Sequence, residues 1–350
     1  MSIFANATLK ELGKLLAGAD SVLLFSHVNP DPDAIGSAMA LCLALRRQGV
    51  RSFVVLDEPV PKYLRFLEEG LEEAEETGAG LCGSPLTTDP DVIPDPEISL
   101  CIDCSEDYRI GGRRASFARG EVTAAIDHHQ AKECDRDYYY IDNEAAACCQ
   151  IVYQMMREMD WPLDRKSAEL LYTGLNGDTG CFMHSNTTAR VHRMAAELLE
   201  FGVDINKVNV NLYQSKDLRE VRLESRILQH LELFADGKAV ISAASQEDYD
   251  ACGAGPEHAG QVIDQLRVID GVEIAAFLRQ DGEKVRGTMR SKTAGNVARI
   301  AGEFGGGGHI KAAGFTSELP MEELYPRLQG AIAAEIRRMD GAGEASRGVR

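Results

Sequence analysis

Four short apolar runs, each breaking off into acids or histidines, constrain what this chain can fold into. Residues 21–28 (SVLLFSHV) are almost unbroken in apolar character, as expected of a strand covered on both faces. Residues 52–56, 98–103 and 122–127 are likewise apolar and rich in β-branched side chains. Between the first two, residues 36–48 have helical spacing, and Gly49 follows as a C-terminal stop. Strands alternating with helices predict βαβ units and a mainly parallel sheet flanked by helices. Ligands of such sheets bind beyond the carboxyl ends of the strands, which is where the polar clusters fall.

The chain's 350 residues suit two domains, and 44% apolar with 26% charged residues is ordinary globular composition. No apolar run approaches the ~20 residues of a membrane span. Residues 1–20 carry two lysines but no apolar signal-peptide core and read as an amphipathic helix, so the chain reads as cytoplasmic. A net charge of −18 argues against binding long nucleic acid, which needs phosphate neutralisation. Nine cysteines without a pairing pattern read as reduced and mostly buried; Cys101 and Cys104 form a C-x-x-C lacking downstream partners at metal spacing.

Six glutamates in residues 68–76 read as a solvated helix face, and residues 83–96, rich in Pro, Asp and Thr, as a surface loop. Helical pattern fills residues 145–233. A second αβ block follows, with strands at 239–243, 272–279 and 284–290 and helices at 294–303 and 321–339. The expected layout is a metal-binding domain at 1–190, a helical connector at 191–230, a smaller α/β domain with a mixed sheet at 231–340, and a disordered tail at 341–350.

Four clusters follow strand ends: His27-Val-Asn-Pro-Asp31-Pro-Asp33-Ala-Ile-Gly36-Ser37, then Asp103, then Asp127-His128-His129, then Asp178. Singly, each acid could be a helix or turn cap. Together they place several carboxylates and two or three imidazoles at one sheet edge, and clustered carboxylates need cations at neutral pH. An oxygen-rich site with some imidazole suits manganese, magnesium or cobalt better than thiolate-rich zinc. Two metals about 4 Å apart activate a water and clamp a phosphoryl oxygen, so the chemistry reads as phosphoester hydrolysis.

These four motifs resemble those of the DHH phosphoesterase superfamily. Gly305-Gly-Gly-Gly308-His309-x-x-Ala-Ala-Gly314 resembles the signature of the C-terminal domain that accompanies it. Arg109 and Ser185-Asn186-Thr187 are most similar to the NrnA-type branch, which degrades very short RNAs and dephosphorylates 3′-phosphoadenosine 5′-phosphate. The resemblance implies His27, Asp31 and Asp103 on one metal and Asp33, Asp103, His128 and Asp178 on the other, with Asp103 bridging. It places His129 by the scissile phosphate and has Asp127 orient the imidazoles. Cys101, Cys104, Cys149 and Gln150 depart from the residues usual in that superfamily, which leaves the tuning of the site and its sensitivity to oxidation open.

Between Lys284 and Lys311 stand six bases and one acid, a basic island in an acidic chain. Its glycine run lets backbone N–H groups approach an anion. The resemblance assigns substrate holding to Arg290, Ser291, Gly307, Gly308 and His309, with Arg109 from the first domain, and a cleft between the domains would limit substrate length. The implied partners are short RNA or a phosphorylated nucleotide, not long duplex nucleic acid and not a membrane, and a homodimer stays open. The rival readings are a phosphodiesterase for linear or cyclic dinucleotides, a RecJ-like single-strand exonuclease, and a nucleotide-binding protein without turnover.

Overall fold

A computed structural model describes residues 3–71, 84–130, 133–260 and 262–347. It divides into two compact units, Met1–Ser215 and Lys216–Arg350. Among the described residues no helix is long and apolar enough to cross a membrane.

The first unit is built on seven strands: β1 Ile3–Ala5, β2 Ser21–Phe25, β3 Arg51–Val55, β4 Leu86–Thr87, β5 Ile98–Ile102, β6 Val122–Asp127 and β7 Tyr138–Asp142. Their order is β1-β7-β6-β5-β2-β3-β4, parallel throughout except that β1 runs antiparallel to β7. Every residue of β2 and β5 is buried, which is why their sequences are continuously apolar rather than alternating. The chain leaves β2 toward β3 on one side, and β5 lies on the other. The order therefore reverses at the β2–β5 pair, and a crevice opens beyond their carboxyl ends.

One face of this sheet is covered by the helices Leu9–Gly18, Pro32–Arg47, Cys148–Glu158 and Arg165–Asp178. The helices 32–47 and 165–178 approach closely because glycines line their seam. A Cβ on Gly36 would lie 2.5 Å from the Leu170 carbonyl oxygen, and one on Gly174 would lie 2.3 Å from the Cys149 sulfur. On the opposite face Phe25, Val55, Cys101 and Cys104 pack beneath Ile110 and Phe117 of the irregular segment 107–117.

The second unit has six strands: β8 Glu232–Phe234, β9 Ala239–Ala244, β10 Ile274–Asp281, β11 Lys284–Ser291, β12 Gly307–His309 and β13 Ala312–Ser317. They are ordered β12-β13-β11-β10-β9-β8, with only β9 and β10 parallel. The helices Val297–Glu303 and Met321–Arg347 cover one face and share the core with Val285, Met289, Ala313 and Phe315.

Several elements differ from the sequence expectation. Within the stretch expected as a helical connector at 191–230, Ala189–Leu199 and Ile205–Tyr213 fall in the first unit and Leu218–Gln229 in the second. The final helix continues to Arg347, across part of the expected tail. The supposed loop 83–96 contributes edge strand β4. The expected helix at 68–76 lies largely outside the described residues; Glu68 ends a short 3₁₀ turn, and Glu69 pairs with Lys207 at 3.0 Å.

Candidate active site

The crevice of the first unit collects the site from strand ends, a helix start and a helix end; Asp178, expected after a strand, instead closes helix 165–178. After β2 the chain delivers His27, then Asn29 in a left-handed conformation (φ 53°), then Asp31 as the N-cap of helix 32–47. Asp31 divides its oxygens. Oδ1 accepts from the Asp33 and Ala34 amides at 3.0 and 2.9 Å, and Oδ2 lies 3.7 Å from His27 Nε2. Asp31 is therefore a helix cap whose second oxygen faces His27.

After β5, Asp103 adopts φ 59°, an uncommon conformation for a non-glycine residue that Asp tolerates better than most. Its amide still bonds the Ile126 carbonyl at 2.9 Å, so the backbone stays tied to β6 while the side chain turns into the crevice. Asp103 Oδ2 lies 3.3 Å from His27 Nε2, and Oδ1 lies 3.3 Å from His128 Nε2. His128 Nε2 also lies 3.2 Å from Asp178 Oδ2, at the end of helix 165–178, and 3.8 Å from Asp33 Oδ2.

Both imidazoles are oriented from behind. His27 Nδ1 bonds the Val28 carbonyl at 2.8 Å, and His128 Nδ1 bonds the Ala145 carbonyl at 3.3 Å. A carbonyl accepts, so each Nδ1 carries the hydrogen and each Nε2 is left as the forward-facing nitrogen. His129 is held differently: its Nδ1 donates to Asp127 Oδ1 at 2.8 Å, and the same oxygen accepts the His128 and His129 amides.

Asp33 is fully buried and makes its hydrogen bonds with backbone. Its two oxygens accept the Cys148 and Cys149 amides at 2.5 and 2.8 Å, the first turn of helix 148–158. Those N–H groups are unpaired by the helix itself and favour a negative partner. The departures at 149 and 150 are explained here. Cys149 serves through its amide, and Gln150 Oε1 accepts the Ala146 amide at 3.0 Å, which a glutamate oxygen would do equally.

The electrostatics are those of a cluster waiting for positive charge. Burial would lower the pKa of His27, but Asp103 and Asp31 outweigh it and raise it to about 10. His128 is raised likewise, against burial, by Asp103, Asp178 and Asp33. Burial, together with neighbouring carboxylates, pushes Asp33 and Asp178 up. Asp103 goes down despite burial, because three histidines surround it. Asp103 Oδ1 and His128 Nε2 are buried, and neither has a hydrogen bond of good geometry among the described residues. A lone-pair nitrogen facing carboxylate oxygens needs a proton or a cation between them, and this donor set of oxygens and imidazole fits a divalent cation. Three groups have ligand atoms within 4.8 Å of one another: His27, Asp31 and Asp103; Asp33, His128 and Asp178; and Asp103, His128 and His129.

Two further residues of this crevice carried little signal in the sequence. Buried Arg113 donates to the Ser26 carbonyl at 2.8 Å and to the Val55 carbonyl, bracing the ends of β2 and β3. Burial, with a smaller contribution from the Asp31 charge, raises the Tyr63 pKa to about 12. Arg109 is half-buried, and its carbonyl accepts the Val28 amide at 2.8 Å, beside His27.

In the second unit, register rather than sequence proximity gathers the expected residues. Arg290 on β11 opposes Ala312 on β13, which opposes His309 on β12. Opposed residues point to one face, so Arg290 and His309 flank Ala312 about 9.5 Å apart. Ser291 donates its amide to the Lys311 carbonyl at 2.9 Å, while its buried Oγ has no partner among the described residues. Burial lowers the Arg290 pKa.

The basic island is less basic in space than in sequence. Arg286 pairs with Asp281 at 2.6 Å, Lys284 with Glu318 at 3.5 Å, and Arg299 with Glu335. The glycine run is partly a packing device. A Cβ on Gly306 would lie 2.2 Å from the Gly314 oxygen, and one on Gly308 2.6 Å from the Ala312 oxygen, whereas one on Gly307 would meet nothing within 4 Å.

Comparison with known proteins follows this division. Residues 21–175 match the DHH family N-terminal domain, and residues 236–338 match the DHHA1 domain. The chain is 29% identical over 309 residues to the bifunctional oligoribonuclease and PAP phosphatase NrnA of Bacillus subtilis, covering 87% of this chain and 91% of that protein. The fold is shared with an exopolyphosphatase-related protein from Bacteroides fragilis (TM-score 0.84, 23% identity, 92% and 94% of the two chains). It is shared more distantly with exonuclease RecJ bound to manganese (TM-score 0.51, 14% identity, 94% of each chain). With its strand-end acids and histidines in the first unit and a DHHA1 domain as the second, this chain belongs to the DHH family of phosphoester hydrolases.

Proposed function

We propose that this protein is a cytoplasmic, metal-dependent phosphoesterase that cleaves very short oligoribonucleotides and dephosphorylates 3′-phosphoadenosine 5′-phosphate. The observation that carries this reading is Asp103, whose two oxygens face two different imidazole Nε2 atoms, each at 3.3 Å. A carboxylate so placed would be shared by two cations, one held by His27 and Asp31 and the other by Asp33, His128 and Asp178. Two divalent cations bound there, manganese in preference to magnesium or cobalt, supply an activated water and a clamp on the phosphoryl oxygens.

The residues themselves orient and move protons. The Val28 and Ala145 carbonyls hold His27 and His128 with Nε2 forward. Asp127 fixes His129 through Nδ1, so that Nε2 serves the scissile phosphate and protonates the leaving oxygen. Arg290, Ser291, Gly307, Gly308 and His309 are the substrate-binding residues of the second unit, and Arg109 is that of the first. The name of the Bacillus relative covers both activities and supports the substrate assignment.

The test is a turnover panel on metal-stripped protein, supplemented with manganese or calcium. Diribonucleotide, 3′-phosphoadenosine 5′-phosphate, a cyclic dinucleotide and a ten-nucleotide RNA serve as substrates. The first two should be turned over with manganese and not with calcium, whose longer bonds and looser geometry suit a tight site poorly. Full activity in excess chelator, or turnover of the cyclic dinucleotide alone, overturns the reading.

A further inference from the structure

The three consecutive alanines before helix 148–158 offer no side-chain chemistry, yet their backbone and the two amides that follow carry hydrogen bonds that hold side chains of the site. The Ala145 carbonyl accepts from His128 Nδ1 at 3.3 Å. The Ala146 amide donates to Gln150 Oε1 at 3.0 Å. The Cys148 and Cys149 amides hold the Asp33 carboxylate. Residues 145–149 thus form a buried strap that orients two side chains of the Asp33–His128–Asp178 group at once.

The third member, Asp178, sits on a different helix, and one side chain joins that helix to the strap. Asn186 Nδ2 donates to the Ala146 carbonyl and to the Asp178 carbonyl, both at 3.1 Å. Two carbonyl partners fix which end of the amide faces them, because only NH₂ can donate twice. Asn186 Oδ1 is left buried with no partner among the described residues. The segment that delivers Asn186 is itself constrained: Gly180, Cys181 and Phe182 all have left-handed φ (55°, 57° and 63°), a conformation unfavourable for the latter two.

We infer that Asn186 is the positioning residue for the Asp33–His128–Asp178 group, pinning strap 145–149 to the end of the helix that carries Asp178. This rests on the two-cation reading above. Asn186 touches neither cation nor reacting phosphate in this assignment; it sets the separation of the groups that do. Removing such supporting partners weakens metal affinity by about 10- to 100-fold. The effect belongs to one cation only, because His27 and Asp31 hang on the Val28 carbonyl and the 32–47 cap instead.

The test is calorimetric titration of metal-stripped protein with Mn²⁺ for the wild type, Asn186→Ala and Asn186→Asp, with circular dichroism melting in parallel. The wild type should bind two ions. Asn186→Ala should weaken one of them by about 10- to 100-fold and leave the other unchanged, with a cooperative melt retained. Asn186→Asp, of the same size but setting a carboxylate against two carbonyls, should weaken it at least as much. Activity of Asn186→Ala should return at high Mn²⁺, which a packing defect would not allow. Wild-type-like binding of two ions by both variants overturns the inference while leaving the two-cation reading standing. Loss of both ions with loss of the cooperative melt also overturns it, in favour of a purely structural role. A wild type that fails to bind two Mn²⁺ sinks the two-cation reading, and the inference with it.

Discussion

The two units hold their polar residues by different means. In the first, buried acids and histidines are fixed by backbone: the Val28 and Ala145 carbonyls, the Cys148 and Cys149 amides and a helix cap. In the second, strand residues that range from buried Ser291 to exposed His309 are aligned by cross-strand register, and the bases are partly neutralised by acids from outside their own stretch of sequence. The first arrangement gives charges that cannot relax, and the second gives charges that can. Chemistry belongs where reorganisation is small, and adaptable holding of a substrate belongs where it is not. Substitutions in the first unit should therefore act on turnover and metal, and those in the second on affinity.

The largest effect is expected at the point where this contrast is sharpest. Asp103→Ala removes the carboxylate that faces both imidazoles and should lower kcat by more than about 10³-fold, given what positioned metals contribute. Folding should survive, because Asp103 faces the crevice rather than either apolar core. A folded variant with a tenth of wild-type activity would show that the two halves of the site are not coupled through it.

Next in size is the pH dependence of metal binding. In the metal-free protein His27 keeps its proton up to about 10 and His128 is raised likewise, while Asp33 and Asp178 are raised above ordinary carboxylates. A group with a raised folded pKa contributes stability below its unfolded value and loses it as pH climbs through the folded one. For His27 that window runs from about 6.5 to about 10, and the raised carboxylates lose stability in the same direction. Bound cations replace these protons, so manganese affinity should rise with pH, by up to about tenfold per unit for each proton displaced. Titration calorimetry between pH 7 and 9, in buffers of different ionisation heat, measures the released protons directly. A pH-independent affinity would mean that binding displaces no protons from the histidines or carboxylates.

A pair of glycines separates fold from function across the two units. In Gly174→Ala the new methyl would meet the Cys149 sulfur at 2.3 Å and Asp33 Oδ1 at 2.9 Å. Overpacking there should cost about 1–3 kcal/mol in urea unfolding and weaken metal binding together. In Gly307→Ala the methyl meets open space, so the melting temperature should hold while KM rises, if the run approaches a phosphate. An unchanged KM would make the run a folding device alone.

What could be read from the sequence follows the same line. The parallel sheet was legible because fully buried strands are continuously apolar, and most of the acids and histidines were legible because such strands end beside them, whereas Asp178 closes a helix. The supporting atoms were not. Ala145, Cys148 and Cys149 act through backbone groups that every residue type carries, so alanine and cysteine there give no sign of it. The pairing of Arg299 with Glu335 joins residues 36 apart in sequence, and a window count from 284 to 311 excludes the partner. Strands β1 and β12 are too short to announce themselves, and each exists only because a longer neighbour offers an edge.

The smallest effect, and the one that most sharpens the contrast, is salt dependence. Each phosphate neutralised on a single strand contributes about −0.7 to the slope of log affinity against log salt. Six bases between Lys284 and Lys311 would suggest a groove for many phosphates. Three of them are ion-paired within the second unit, and Lys292 donates to the Ile269 carbonyl at 2.6 Å. On the proposed reading Arg290, whose Nη1 donates to the Met289 carbonyl at the longer distance of 3.2 Å, and Lys311 are then the bases left for substrate phosphate, in a chain of net charge −18. The slope for a diribonucleotide should therefore be shallow, about −0.7 to −1.4, and kcat/KM should fall as RNA lengthens from two to about ten nucleotides. Arg290→Ala should raise KM with little change in kcat and flatten the slope by about 0.7, because it removes one phosphate contact remote from the reacting bond. A steep slope together with a flat or rising length profile would mean that the paired bases release their acids to track a longer strand, and the second unit would then be an extended groove.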